Sequence, residues 1–176
     1  MNYKKAILTI ATLGFTYFIV TRVGFTAQQY AYLRKLNPKG RKRFKEFIKA
    51  IEDNLGYSVI ITSGYRTFEK QQQLKDDGIS PVGAGRSFHN YGLAIDINLL
   101  KLGQYVKMGS SREKWENTGV PQLAEGLGFR WGGDFSGYYD PVHFDLGNDY
   151  NINDLEARAN ELYGTNPSDI KGNLVW

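Results

Sequence analysis

The segment SFHNYGLAIDINL, Ser87–Leu99, decides how this sequence is read. In its second half, Leu93, Ile95 and Ile97 fall on one side of an extended chain, and Gly92, Ala94 and Asp96 on the other. That pattern predicts a half-buried strand. Its polar face carries one carboxylate between very small neighbours, which leaves room for an ion or a substrate. The first half holds His89, one of only two histidines in 176 residues. It stands just before the turn into the strand, from where it can fold back over Asp96. The second histidine lies in DPVHFDL, Asp140–Leu146. There Val142, Phe144 and Leu146 share one face, and His143 and Asp145 the other.

Two strands thus each bury one side and present a metal-competent residue on the opposite side. His89, Asp96 and His143 make a nitrogen, oxygen, nitrogen ligand set. Zinc accepts such a set tetrahedrally with water in the fourth place, the open arrangement of a catalytic site. Asp140 precedes His143 by three residues across a turn containing Pro141, and is the candidate base beside that water. An isolated histidine is more often a surface or core residue than a ligand. Two histidines, each beside a strand aspartate, make the pattern informative.

Outward from this centre the elements alternate irregularly. NPKGRKRFKEFIKAIEDNLG predicts a helix with Asn37 as cap, Pro38 in the first turn, and Phe44, Phe47, Ile48, Ile51 and Leu55 at a 3.6-residue period until Gly56. Its other face carries Lys39, Arg41, Lys42, Arg43, Lys45 and Lys49, read as a solvated face or a contact to an anionic polymer. YSVIITSGYRT predicts a strand. TFEKQQQLKDDG predicts a helix capped by Thr67 and closed by Gly78. The loop ISPVGAGRS lacks the Lys-Ser/Thr ending of a phosphate loop. Residues 100–119 read as turn-rich, followed by a short helix in VPQLAEGLG and strands in FRWGG and VHFDL. A capped helix over NINDLEARANELYG follows. The class is α+β, with one small, mostly antiparallel sheet and flanking helices.

Composition narrows the field. There are no cysteines, so disulfides and Cys-based zinc sites are excluded. The net charge of +4 favours anionic surfaces without choosing among them. Nucleic-acid binding would rest on charge alone, and none is expected. At the N-terminus, Lys4 and Lys5 precede an uncharged run from Ala6 to Thr21, closed by Arg22. This reads as an apolar helix acting as a signal-anchor or short membrane span over residues 1–25, with no small residue at Phe25 for cleavage. Residues 26–164 form the folded domain and 165–176 a C-terminal tail. The expected setting is extracytoplasmic, either membrane-anchored or exported, with the chain a monomer.

SFHNYGLAID matches the Ser-x-His-x-x-Gly-x-Ala-x-Asp signature of the M15 (VanY-like) zinc peptidases that cut bacterial wall peptides. SGYRTFEKQQQL resembles the family's upstream element, and GFRWGGDF and DPVHFDL its closing elements, all in the family's order. The resemblance covers about Gly56 to Leu146. It implies the hedgehog-like M15 fold and one Zn2+ per chain, held by His89, Asp96 and His143. It implies Asp140 as general base and Arg66 as the group steadying the substrate carbonyl or the oxyanion, with Ser87 and Arg66 contacting substrate. Asp145 would orient a ligand imidazole, Trp131 and Asp134 would be scaffold, and Tyr138 and Tyr139 would line or cover the cleft. The aspartate at position 140 resembles the endolysin-type members. The expected activity is an L-alanyl-D-glutamate endopeptidase acting on the peptidoglycan stem peptide. The alternatives are a D-Ala-D-Ala carboxypeptidase and a non-catalytic module that binds peptidoglycan.

Overall fold

The computed structural model describes residues 6–12, 15–21 and 24–164. Strands β1 (Ala6–Thr12) and β2 (Phe15–Thr21) pair antiparallel, with Ala6 opposite Thr21. The expected N-terminal apolar helix is therefore corrected to a hairpin. The physical reason lies in residue type. Ile7, Thr9, Ile10, Thr12, Thr16, Tyr17, Phe18, Ile19, Val20 and Thr21 are β-branched or aromatic, and such side chains suit a pleated surface better than a helix. Among the described residues no helix is long and apolar enough to cross a membrane. The flanking Lys4, Lys5 and Arg22, and the tail 165–176, lie outside the described residues.

Helix α1 (Ala27–Leu33) begins at Thr26, whose side chain and that of Gln29 form a reciprocal cap. Helix α2 (Pro38–Ala50) begins as expected, with the Asn37 side chain accepting from the Lys39 N–H. A wider turn over Ile51–Leu55 extends it to Gly56, which takes the left-handed conformation that ends it. Phe44, Phe47, Ile48 and Ile51 are all fully buried. Strand β3 (Ser58–Ser63) and helix α3 (Phe68–Asp76, capped by Thr67) follow.

The central strand is β4 (Ala94–Lys101). It pairs antiparallel with β3 on one side and with β7 (His143–Asp145) on the other, and β7 pairs with β6 (Arg130–Trp131). Strand β5 (Gln104–Val106) folds back on the far end of β4. Helices α4 (Arg112–Glu116) and α5 (Val120–Gly126) come between β5 and β6, and α6 (Ile152–Tyr163) closes the described chain. Residues 100–119 thus hold a strand and a helix where turns were expected. The β4–β5 turn is Leu102-Gly103, both at positive φ. It is a hairpin turn without the Asn-Gly or Asp-Gly signal that normally reveals one.

The alternation in β4 and β7 is as read. Ile95, Ile97 and Phe144 are fully buried in the core, where Phe144 meets Phe47 of α2 at 5.2 Å between ring centroids. Burying each such side chain contributes about 1.5–3 kcal/mol. Asp96, His143 and Asp145 are left on the opposite face, so the sheet is core on one side and site on the other.

Gly92 links the His89 turn to β4. It sits at φ +64, and its carbonyl accepts from the Asn37 N–H at 3.2 Å. A Cβ there would fall on the Asn37 backbone nitrogen. Gly92→Ala is expected to cost ~2–3 kcal/mol and to lower the thermal midpoint by roughly 5–10 °C. Differential scanning calorimetry checks this; an unchanged midpoint would mean that α2 is free to yield.

Candidate metal centre

Asp96 and His143 are 47 residues apart, and the sheet closes that distance directly. They stand opposite each other in the β4–β7 register. Cross-strand neighbours of this kind have Cβ atoms about 5 Å apart. His89 reaches them from a short 3₁₀ turn, Phe88–Tyr91. Ser87 caps that turn, its Oγ accepting from the His89 N–H at 3.4 Å. The fold-back read from the sequence is what the chain does.

His89 Nε2, Asp96 Oδ1 and His143 Nδ1 form a triangle with sides of 3.1, 3.1 and 3.1 Å. Each imidazole is held by its other nitrogen. His89 Nδ1 donates to the Gly64 carbonyl at 2.6 Å, and His143 Nε2 donates to Asp145 Oδ2 at 3.0 Å. A carbonyl can only accept, and so can an ionised carboxylate, which sets the tautomers. In the neutral imidazoles two nitrogen lone pairs and one carboxylate oxygen therefore converge on one point. Such a cluster is repulsive unless a cation sits among its members. Zinc bonds of about 2.0–2.1 Å in a tetrahedron put donors about 3.3 Å apart, close to the spacing present. The donor set and its geometry fit a metal ion, and these three residues are a group able to hold one.

The two histidines are shifted in opposite directions. Burial pushes His89 down, and only in part do Asp96 and its hydrogen bond oppose this, so His89 stays neutral, as a ligand must. For His143 burial also acts downward, but hydrogen bonds to Asp145 and Asp96 outweigh it and lift the group to about 10. Asp145 is pushed up by burial yet held at about 2 by hydrogen bonds from His143 and Arg130. A proton on His143 Nδ1 satisfies the triangle as a metal ion would.

Asp145 orients the His143 ring, as expected. Its own geometry depends on a residue the sequence reading left without a role. Arg130, directly opposite in the β6–β7 register, donates Nε and Nη2 to the two Asp145 oxygens at 2.7 Å each. The Arg130 guanidinium lies between the rings of Phe88 and Phe135. A charge on the site-facing side of FRWGG was the available signal. The Gly64 carbonyl had none, because a backbone group leaves no mark in residue type.

Arg66 stands at the edge of the triangle. Its Nη2 donates to Asp96 Oδ2 at 3.2 Å and to Ser63 Oγ at 2.9 Å, and its Nη1 to Gln71 Oε1 at 2.7 Å. It thus holds the second oxygen of Asp96, turning Oδ1 toward the imidazoles. A bulge in β3 between Ile61 and Ser63 shifts Ser63 into reach. Arg66 also lines the cleft, so substrate contact is open to it.

That cleft has a volume of about 580 Å³ and contains the triangle, with Ser87, Tyr138, Tyr139, Val142 and Asp140 in its lining. The Asp140 carbonyl accepts from the His143 N–H at 3.1 Å, and the Asp140 N–H donates to the Gly132 carbonyl at 3.1 Å. Trp131 Nε1 donates to the Pro141 carbonyl at 2.9 Å, fixing the same turn. Asp140 Oδ1 is buried with no hydrogen-bond partner among the described residues. Burial pushes its carboxyl up, against the downward pull of His143. An unpaired, desolvated carboxylate beside a metal-competent triangle is able to take a proton. Asp134 faces solvent and pairs with Arg112, away from the centre.

Two imidazoles and one carboxylate able to hold a cation, with Asp140 in the same open cleft, are the parts that a metal-dependent hydrolase requires. Comparison with known proteins is in agreement. A family model described as D-alanyl-D-alanine carboxypeptidase matches residues 82–146. The chain is 34% identical over 117 residues to the peptidoglycan L-alanyl-D-glutamate endopeptidase CwlK of Bacillus subtilis (strain 168), covering 60% of this chain and 70% of that one. It is 32% identical over 119 residues to the L-alanyl-D-glutamate peptidase of Listeria phage A118, covering 68% of this chain and 41% of that one. The crystal structure of the Serratia marcescens L-Ala D-Glu endopeptidase ChiX shares the fold, with a TM-score of 0.55 at 24% identity over 72% of this chain and 92% of that one. The chain belongs to the M15 peptidase family.

Proposed function

We propose that this protein is a zinc-dependent peptidase that hydrolyses the L-alanyl-D-glutamate bond of the peptidoglycan stem peptide. The observation that carries the reading is the placement, in one cleft, of a metal-competent His89–Asp96–His143 triangle and the half-buried Asp140, whose Oδ1 has no partner among the described residues. The choice of bond is supported by the two sequence relatives, both named for that activity. The runner-up, removal of a terminal D-Ala, is favoured by the description of the family model. Work on wall peptide puts the chain outside the cytoplasm.

His89 Nε2, Asp96 Oδ1 and His143 Nδ1 would hold the metal. Zinc so bound supplies a water of pKa near 7 and polarises a carbonyl. Asp140 takes the proton from the attacking water as its oxygen bonds to the scissile carbonyl carbon. The C–N bond then breaks, and Asp140 passes the proton to the departing amine. Arg66 donates from its remaining N–H groups toward the carbonyl oxygen as charge develops there. Ser87 keeps the His89 turn in place and offers the substrate a hydroxyl at the cleft wall. Arg130 and Asp145 keep His143 Nδ1 aimed inward.

The deciding experiment incubates the zinc-loaded protein with purified stem peptides and identifies products by mass spectrometry, beside a chelator-treated sample. Cleavage between L-Ala and D-Glu is expected. Loss of one terminal D-Ala would establish the carboxypeptidase. Intact peptides would sink both and favour a chain that binds wall peptide without cutting it.

Metal loading carries a pH signature. Hydrogen bonds to Asp145 and Asp96 favour the protonated form of His143 in the metal-free chain, and zinc binding at Nδ1 would displace that proton. About one proton should be released per zinc ion, and affinity should rise with pH toward 10. Calorimetry in buffers of different ionisation enthalpy measures the count; zero release would mean that His143 is already neutral in the metal-free chain.

A further inference from the structure

Gln71 lies on α3, behind the cleft and outside the triangle, and is 0% exposed. Every polar atom of its side chain is engaged. Oε1 accepts from Arg66 Nη1 at 2.7 Å. Nε2 donates to Ser80 Oγ and to the Val82 carbonyl, both at 2.8 Å. The first bond holds the guanidinium that braces Asp96. The other two hold the loop whose Ile79, Pro81 and Val82 form an apolar wall of the same cleft. The Arg66 backbone is tied from the other side, its N–H donating to the His89 carbonyl at 3.0 Å and its carbonyl accepting from Asn90 Nδ2 at 2.9 Å. What remains to be set in Arg66 is the direction of its side chain, and Gln71 is one of three groups that set it.

We infer that Gln71 is a positioning residue that couples the guanidinium of Arg66 to the substrate-facing wall at Ser80–Val82. The inference rests on the peptidase reading above and names no new substrate. Only an amide makes this bridge. It needs one acceptor toward Arg66 and two donors toward a hydroxyl and a carbonyl. A carboxylate keeps the acceptor toward Arg66 and can accept from the Ser80 hydroxyl, but it faces the Val82 carbonyl with no proton to give. A thioether fills the space and keeps neither end.

The test compares Gln71→Met and Gln71→Glu in the zinc-loaded full chain acting on a stem peptide. Gln71→Met is expected to lower kcat by about 10–100-fold, the scale of a displacement near 1 Å in a reacting group. The zinc content should stay at one per chain. Gln71→Glu should recover about tenfold of that loss, because it restores the Arg66 bond. Combining Gln71→Met with Arg66→Ala should add little to Arg66→Ala alone, since residues acting as one unit are not additive. A purely structural role would lower the thermal midpoint and leave kcat alone, with Met and Glu alike; that result overturns the inference. Cleavage by the wild type with an undiminished kcat in Gln71→Met would also overturn it while leaving the peptidase reading intact. A wild type that cuts neither bond would overturn the peptidase reading and this inference with it.

Discussion

Asp140→Asn is expected to slow stem-peptide hydrolysis by about 10²–10⁴-fold, with one zinc ion per chain retained. The substitution is nearly isosteric, and the turn that carries residue 140 is fixed by main-chain bonds to Gly132 and His143 that an amide leaves alone. The three donor atoms of the triangle do not include Asp140. What the amide cannot do is accept a proton from water and return it to the amine. Burial already pushes the Asp140 carboxyl up, and Oδ1 has no partner among the described residues. Replacing it removes a partly desolvated charge and leaves one amide atom in the place of Oδ1, so the folded state should change little. The measurement is kcat by product quantification beside zinc content by atomic emission. Near-wild-type turnover would take the base role away from Asp140. Lost zinc would mean that residue 140 acts as a ligand.

His89→Ala is expected to abolish activity by removing the metal. An outer partner of a ligand typically changes affinity about 10–100-fold, and loss of one of three donor atoms should exceed that. The ring is almost fully buried, and its Nδ1–H donates to the Gly64 carbonyl. Alanine leaves that carbonyl unpaired and opens a cavity, so stability falls as well. The two effects separate when metal-free wild type and variant are both followed by thermal melting, with and without added zinc. Zinc should raise the wild-type midpoint and leave the variant unmoved. A variant that still gains stability from zinc at wild-type concentrations would remove His89 from the ligand set.

Much of this centre is legible in residue type and spacing. Alternation in GLAIDIN and PVHFDL put Asp96 and His143 on site faces because a strand has a two-residue period that one buried face enforces. The caps at Asn37 and Thr67 were legible for a similar reason: a helix start leaves N–H groups that a local side chain must satisfy. Local rules conflict at the N-terminus, where the uncharged run favours an apolar helix by hydropathy and its β-branched residues favour strands. They also missed β5, whose turn at Leu102-Gly103 carries no residue-type signal.

The sequence alone, through residue type and spacing, determined which side chains are chemically able to form the site: two imidazoles, one carboxylate among small neighbours, and a second aspartate three residues before a histidine. Only the tertiary structure decided their geometry. The β4–β7 register set Asp96 against His143, and the Gly64 carbonyl and Asp145 chose which nitrogen of each ring faces the metal. It also turned Arg66 onto Asp96 and bound it to Gln71. The reason is physical. Periodicity along a chain records which face a residue takes, whereas register between strands and the aim of a hydrogen bond depend on groups tens of residues away.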